Sequence, residues 1–352
     1  MPETRYDFRS DNVGGAAPEI LEAVVAAASG TAAPYGDDDY TRAMNECFAA
    51  LFERPVQVFP LCSGTGSNSV ALAALANSFG AIYCHQTSHI NVYECGAPEF
   101  FTGAKLVALP GRDFKLEPLA LEEALALAGR GNPTRVQPFA LNLTQPTDFG
   151  TLYPPAEVAA LCEVARRHGL RVHMDGARFA NAIAALGCTP AELTWRAGVD
   201  VLSLGATKNG AINAEAVVVF DPAVARDIPF LMKRGGQVLS KARFVSAQLA
   251  RYVADDRWLE RARAANAHAA RLARELAALP GVELVAPVQI NMLFLRMPEA
   301  AVAALDCGPF HYYKLGRDLR FVCRHDQEPE GMDALVRCVR ETLAVDPARA
   351  TS

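Results

Sequence analysis

Nine cysteines are scattered through 352 residues without a single CxxC pair, so the spacing of zinc knuckles and dithiol redox motifs is absent. Small buried thiols in a reducing cytoplasm account for them better than disulfides do. No apolar run approaches the ~20 residues that cross a bilayer, and no membrane partner is expected. The opening residues, MPETRYDFRSDN, contain no apolar h-region, so a signal peptide is not expected. Basic charge is not in excess. Lys and Arg total 34 against 39 Asp and Glu, a net charge of −5, which argues against nucleic acid as a partner. No internal repeat or low-complexity tract occurs beyond alanine-rich helices. What is present, 51% hydrophobic and 21% charged residues, is the balance of a soluble globular protein. The length suggests one large and one smaller domain.

Short apolar runs alternate with helical patterns, which predicts an α/β fold. Strands are expected at 56–62, 80–85, 104–110, 135–144, 170–175, 199–205 and 214–220, the last returning like a hairpin. In PPAEVAALCEVARRHG, residues Val158, Leu161, Cys162 and Ala165 mark one helical face, started by proline and stopped by Gly169. Repeated strand–helix–strand units favour a mainly parallel sheet buried on both faces. From about residue 242 the character changes. A long helical stretch, breaking near Asp255 and Asp256, leads to short strands and a final helix, 332–344. These features divide the chain into an N-terminal segment (1–45), a large domain (46–241) and a small α+β domain (242–352).

Ligands of open parallel sheets gather at the carboxyl ends of strands, and three strand ends here are unusual. In LCSGTGSNS, Ser63, Gly64 and Thr65 form a turn leading into a helix, where free N–H groups favour an anion. The same residues also make ordinary caps. In RVHMDGARF, Asp175 ends a strand and Arg178 follows, which fits either a helix cap with an ion pair or a ligand-facing carboxylate. In VLSLGATKNG, a lone Lys208 stands among small residues after a buried segment. Alone, Lys208 reads as a turn lysine. Together, an amine, a carboxylate and an anion cradle match what pyridoxal phosphate needs: a Schiff-base lysine, a partner for its ring nitrogen and a phosphate anchor.

The stretches FRSDN, SGTGSN, SHINVYECGAPE, VHMDGARFANA, LSLGATKNG and LRFV run in order over nearly the whole chain. In them the sequence resembles the threonine aldolase family of pyridoxal phosphate enzymes, and within it the bacterial low-specificity L-threonine and phenylserine aldolases. The resemblance implies the aspartate aminotransferase-like fold (fold type I), with a mainly parallel seven-stranded sheet in the large domain. It implies Lys208 as the Schiff-base lysine, Asp175 as partner of the ring nitrogen, and Ser63, Gly64, Thr65 and Thr207 around the phosphate. Arg178, Ser10 and Arg320 would hold the substrate carboxylate, with Arg178 also near the cofactor. Lys233 or Arg234 would reach a neighbouring subunit's phosphate, in a cytoplasmic homodimer or homotetramer with active sites at the subunit interface.

His89, five residues before Glu94, is matched to the imidazole stacked on the cofactor ring and is expected to take the β-hydroxyl proton, directly or through a water. His85, four residues earlier, could pair with it as a metal ligand, but no third ligand follows at diagnostic spacing. His85 and His173 are therefore read as structural. One departure stands out. Where many family members carry a second histidine, this chain has Gln145, which can hydrogen-bond a substrate hydroxyl but cannot act as a base. The implied reaction cleaves L-threonine, L-allo-threonine or a related β-hydroxy-α-amino acid to glycine and an aldehyde. A β-eliminating lyase or an aminotransferase would share the same cofactor residues, whereas a non-catalytic partner subunit would need none of Lys208, Asp175 and His89.

Overall fold

A computed structural model describes residues 6–345. Seven strands form its main sheet: β1 (Gln57–Leu61), β2 (Gly80–His85), β3 (Lys105–Leu109), β4 (Gln137–Thr144), β5 (Arg171–Gly176), β6 (Val201–Gly205) and β7 (Glu215–Val219). Their order is β1-β7-β6-β5-β4-β2-β3. All neighbours are parallel except those of β7, which is antiparallel to both β6 and β1. The expected hairpin-like return is this strand. Every residue of β2, β6 and β7 is buried, and β5 exposes only Arg171, as strands covered on both faces require. The two-residue period divides β7 between two cores. Val217 and Val219 pack with the helix Gly64–Leu75, while Ala216 and Val218 belong to the other core, on the side of the helix Arg243–Val253. On the helix Pro155–Arg167 the buried residues include Val158, Leu161, Cys162 and Ala165, the face the spacing predicts.

The smaller layer contains β8 (Glu283–Leu284), β9 (Met292–Arg296), β10 (Tyr313–Leu315) and β11 (Asp318–Val322). They form an antiparallel sheet in the order β10-β11-β9-β8. The helices Arg243–Val253 and Arg257–Ala277 break where expected, across Asp255 and Asp256.

The domain boundary differs from the expected residue 242. Val245, Leu249, Tyr252, Trp258 and Ala262 pack in the core of the large sheet, whereas Ala269, Leu272 and Leu276 pack with Leu293, Leu295 and Phe321. The change of core therefore falls inside the long helix. Helix periodicity does not register it, because the apolar stripe continues while its partner changes. The N-terminal segment is likewise shared: Phe8 enters the small core, and Ile20, Met44 and Phe48 enter the large one. The thiols are also not uniformly buried, since Cys95 and Cys307 are exposed.

Candidate active site

Strand β6 ends at Gly205, and a 3-10 turn, Thr207–Asn209, carries Lys208. Three bonds around Asn209 fix this turn. Its Nδ2 donates to Tyr252 Oη and to the Trp258 carbonyl, both at 2.8 Å, and its carbonyl accepts from Arg261 Nε at 2.9 Å. Gly205 permits a close approach of backbones: a Cβ there would stand 2.7 Å from the Ala177 carbonyl oxygen. Lys208 thus points from a rigid base into a cavity of about 190 Å³, which it lines with Ser10, His89, Asp148, Arg178 and Arg320. Phe149, Met292 and Phe294 form its apolar wall. Burial, and then the Arg178 guanidinium, lower the pKa of Lys208. Both raise the fraction of free amine, the form that attacks a carbonyl.

Asp175 is buried at the end of β5. Its Oδ1 accepts from the Ala177 amide at 3.1 Å and its Oδ2 from Asn68 Nδ2 at 3.0 Å. The same Asn68 amide donates to Glu94 Oε1 at 2.8 Å, and that oxygen is 2.8 Å from His89 Nδ1. A chain of hydrogen bonds therefore runs from the strand-end carboxylate to the imidazole. Burial acts to lower the pKa of His89, but the Glu94 bond and the charges of Asp148 and Asp175 outweigh it, and the net shift is upward. The imidazole is thus held on a buried carboxylate that strengthens its affinity for a proton.

The residues expected to hold a carboxylate, Ser10, Arg178 and Arg320, meet at the same cavity. Arg178 Nε donates to Asp11 Oδ2 at 2.6 Å, and Asp11 Oδ1 accepts from Asn291 Nδ2 at 2.5 Å. Ser10 caps the turn Asp11–Val13 and lines the cavity. Arg320, on β11, is half-buried, and its Nε is shielded from solvent without a hydrogen-bond partner. Burial and Arg178 lower its pKa. A guanidinium N–H left in this state is the donor a substrate carboxylate would satisfy.

Ser63 caps the helix Gly64–Leu75, its Oγ accepting from the Gly66 amide at 3.1 Å. The first-turn amides of Gly64 and Thr65 have no partner inside the helix, and a Cβ at Gly64 would meet nothing within 4 Å. Leu61 and Gly205 both register with Glu215 in the sheet, so the Ser63 turn and the Lys208 turn share one edge. Thr207 Oγ1 accepts from the Ala214 amide at 3.1 Å. The amine, the strand-end carboxylate and the open helix N-terminus together fit the cofactor expected from the sequence.

One expectation changes. Gln145 is fully buried: its Nε2 donates to the Tyr153 carbonyl at 2.7 Å and its Oε1 accepts from the Tyr153 amide at 3.0 Å. It is spent on the backbone and does not line the cavity, which corrects its expected role toward the substrate. Lys233 and Arg234 are the exposed end of the helix Ile228–Arg234, whose Ile228 and Met232 are buried, and Lys233 lies 5.7 Å from the centre of the Tyr35 ring. His85 is turned onto Thr87, with 2.8 Å between Nδ1 and Oγ1. His173 lies inside the sheet.

Sequence reasoning missed Asp11, Asn68, Glu94, Asp148 and Glu215 as members of the cluster. Glu215 had the clearest signal, as the one charge in the apolar strand AEAVVVF. Burial pushes its carboxyl up to about 7.

This fold and site define a pyridoxal phosphate-dependent enzyme of the aspartate aminotransferase-like class. The chain belongs to the beta-eliminating lyase family, whose model matches residues 7–299. It is 41% identical to the low specificity L-threonine aldolase of Pseudomonas aeruginosa, over 97% of this chain and 99% of that protein. The solved structure of a threonine aldolase from Leishmania major superposes with a TM-score of 0.88 at 27% identity, covering 97% of this chain and 99% of that one. An aspartate aminotransferase from Rhodobacter sphaeroides shares the fold with a TM-score of 0.70 at 16% identity, over 99% of this chain and 93% of that one. The protein is a lyase.

Proposed function

We infer that the protein cleaves β-hydroxy-α-amino acids of the threonine class to glycine and an aldehyde. The supporting observation is the partnerless Nε of Arg320 in the same cavity as Lys208. That arrangement seats a carboxylate next to a reactive amine. Pyridoxal phosphate, when bound, supplies the sink for the electron pair of the breaking bond.

The chain does the rest. Lys208 holds the cofactor, and Asp175, fixed by Asn68, keeps a proton on the ring nitrogen. Ser63, Gly64, Thr65 and Thr207 hold the phosphate. Arg320, with Arg178 and Ser10, grips the substrate carboxylate. That grip would fix rotation about the α-carbon, and so select which of its bonds reacts. Phe149 and Phe294 keep water from the reacting carbon.

A substrate panel tests this reading. Purified enzyme is given L-threonine, L-allo-threonine and both phenylserine diastereomers, with glycine and aldehyde measured together. Equal release of the two is expected. Keto acid and ammonia, or amino-group exchange, would replace this reading with β-elimination or transamination.

No helix among the described residues is long and apolar enough to cross a membrane. We place the enzyme in the cytoplasm, consistent with its free thiols. We also place it in a homodimer or homotetramer, in which the exposed Lys233 and Arg234 face a second copy. Light scattering that returns a monomer mass would remove the oligomer.

A further inference from the structure

The loop between β4 and the helix Pro155–Arg167 carries a carboxylate with no role assigned so far. Asp148 lines the cavity with Lys208, His89, Arg178 and Arg320. Its Oδ2 is shielded from solvent and has no hydrogen-bond partner. Buried polar atoms are rarely left so, and an exception calls for an explanation.

Looseness of the loop does not explain it. The Thr147 amide donates to the Thr151 carbonyl at 2.9 Å, and the Gly150 amide to the Thr147 carbonyl at 2.8 Å. The hydroxyls of Thr147 and Thr151 are 2.7 Å apart. Phe149 is stacked between Phe114 and Phe294, with ring centroids at 3.7 and 4.6 Å. Gln145 latches the loop to Tyr153 through both ends of its amide. The carboxylate is held in place, then left unbonded.

A threonine-class substrate has three polar groups. The carboxylate goes to Arg320 and the amine to the cofactor, so the β-hydroxyl is the remaining donor. We propose that Asp148 is a catalytic residue that accepts the proton of the substrate β-hydroxyl through its Oδ2. This assignment rests on the aldolase reading. As the O–H bond breaks, its electron pair becomes the π bond of the aldehyde carbonyl. The Cα–Cβ pair stays with the glycine fragment, and the proton stays on Asp148 until solvent removes it. The charged groups around Asp148 are His89, Asp175, Lys208, Arg178 and Arg320. Burial foremost pushes its carboxyl up to about 6, against the pull of His89, Lys208 and Arg178 and with the push of Asp175. A carboxylate there is mostly ionised at neutral pH yet basic enough to take a proton. His89 has its Nδ1 already bonded to Glu94, whereas Asp148 Oδ2 has no partner.

The test compares two reactions of the holoenzyme. Threonine cleavage needs the β-hydroxyl base, whereas exchange of the glycine α-proton in D₂O does not. In Asp148→Asn, kcat for cleavage is expected to fall about 10²–10³-fold, the range of general base catalysis. Glycine exchange, followed by NMR, should change by less than about threefold, because the base takes no part in it. The visible cofactor band should remain. A variant that cleaves at wild-type rate, or one in which cleavage and exchange fall together, overturns the proposal. Wild-type protein supplies an arm independent of folding defects: kcat/KM, which reports the free enzyme, should drop below about pH 6, and a flat profile to pH 5 also overturns it. If wild type releases no aldehyde from any β-hydroxy amino acid, the aldolase reading itself has failed. Cleavage retained in both proteins removes only Asp148.

Discussion

His173 and Asp175 lie two residues apart on β5, share one face of the sheet and are both buried. Their surroundings differ completely. His173, one step inside the sheet, has both ring nitrogens engaged: Nδ1 with Asn142 Oδ1 at 2.7 Å and Nε2 with Ser203 Oγ at 2.9 Å. Burial holds its pKa down to about 4, so it is neutral. Around Asp175, at the strand end, the polar groups are charged and several are unfinished. Asp148 Oδ2, Glu94 Oε2 and Arg320 Nε have no partner. Burial alone therefore does not separate structure from function in this sheet. What distinguishes these two positions is the cluster of charged groups left unpaired around Asp175, because an unsatisfied buried charge is costly unless a ligand finishes it.

The hardest test of that contrast is Lys208→Ala. Loss of the nucleophile should lower cleavage on the order of 10⁴–10⁶-fold and abolish the visible cofactor band. An unchanged band would remove Lys208 from its role. Glu94→Gln comes next. It should lower the pKa of His89, seen by NMR titration. An upward or absent shift would break the link between Glu94 and His89.

On the completed side, replacing His173 should alter stability and its pH dependence rather than catalysis. The folded pKa lies below the ordinary value, so acid favours protonation of the unfolded chain, and stability is lost as pH falls below about 6.5. Urea unfolding of wild type relative to His173→Gln should lose about 2 kcal/mol between pH 7 and pH 5 through this residue. Referring each protein to its own value at pH 7 cancels the opposite trends of Asp148 and Glu215. A parallel pH dependence in the two proteins would mean that His173 is not held neutral. The smallest effect belongs to the surface. Arg112, exposed and paired with Glu117 at 2.7 Å, should be replaceable by alanine without a measurable change in Tm or kcat.

Much of this was legible in the sequence. Apolar runs bounded by turns placed all seven strands, because doubly buried strands need little but apolar residues. Strand-end positions singled out Lys208 and Asp175 before any contact was known. The rest depends on contacts distant in sequence. Asn68 meets Asp175 across 107 residues and Asp11 meets Arg178 across 167, and neither pairing leaves a local pattern. Asp148 sits in a loop whose composition resembles any surface turn; only the fold makes it face the amine. Gln145 misled for a related reason. Its position in the motif was right, but a side chain with a donor and an acceptor can equally well clamp a backbone.

Phe294 and Arg320 are register partners on β9 and β11. Along β9, Leu293 and Leu295 anchor the small core, while Met292 and Phe294 face the cavity. The Phe294 ring and the Arg320 guanidinium, the group proposed to hold the substrate carboxylate, are thus mounted on one stiff plate. Tilting that plate to enlarge the cavity would move the guanidinium with it. Room for bulkier side chains has to come from residues on the facing large domain, such as Tyr93 or Phe149, which can change size without moving the arginine.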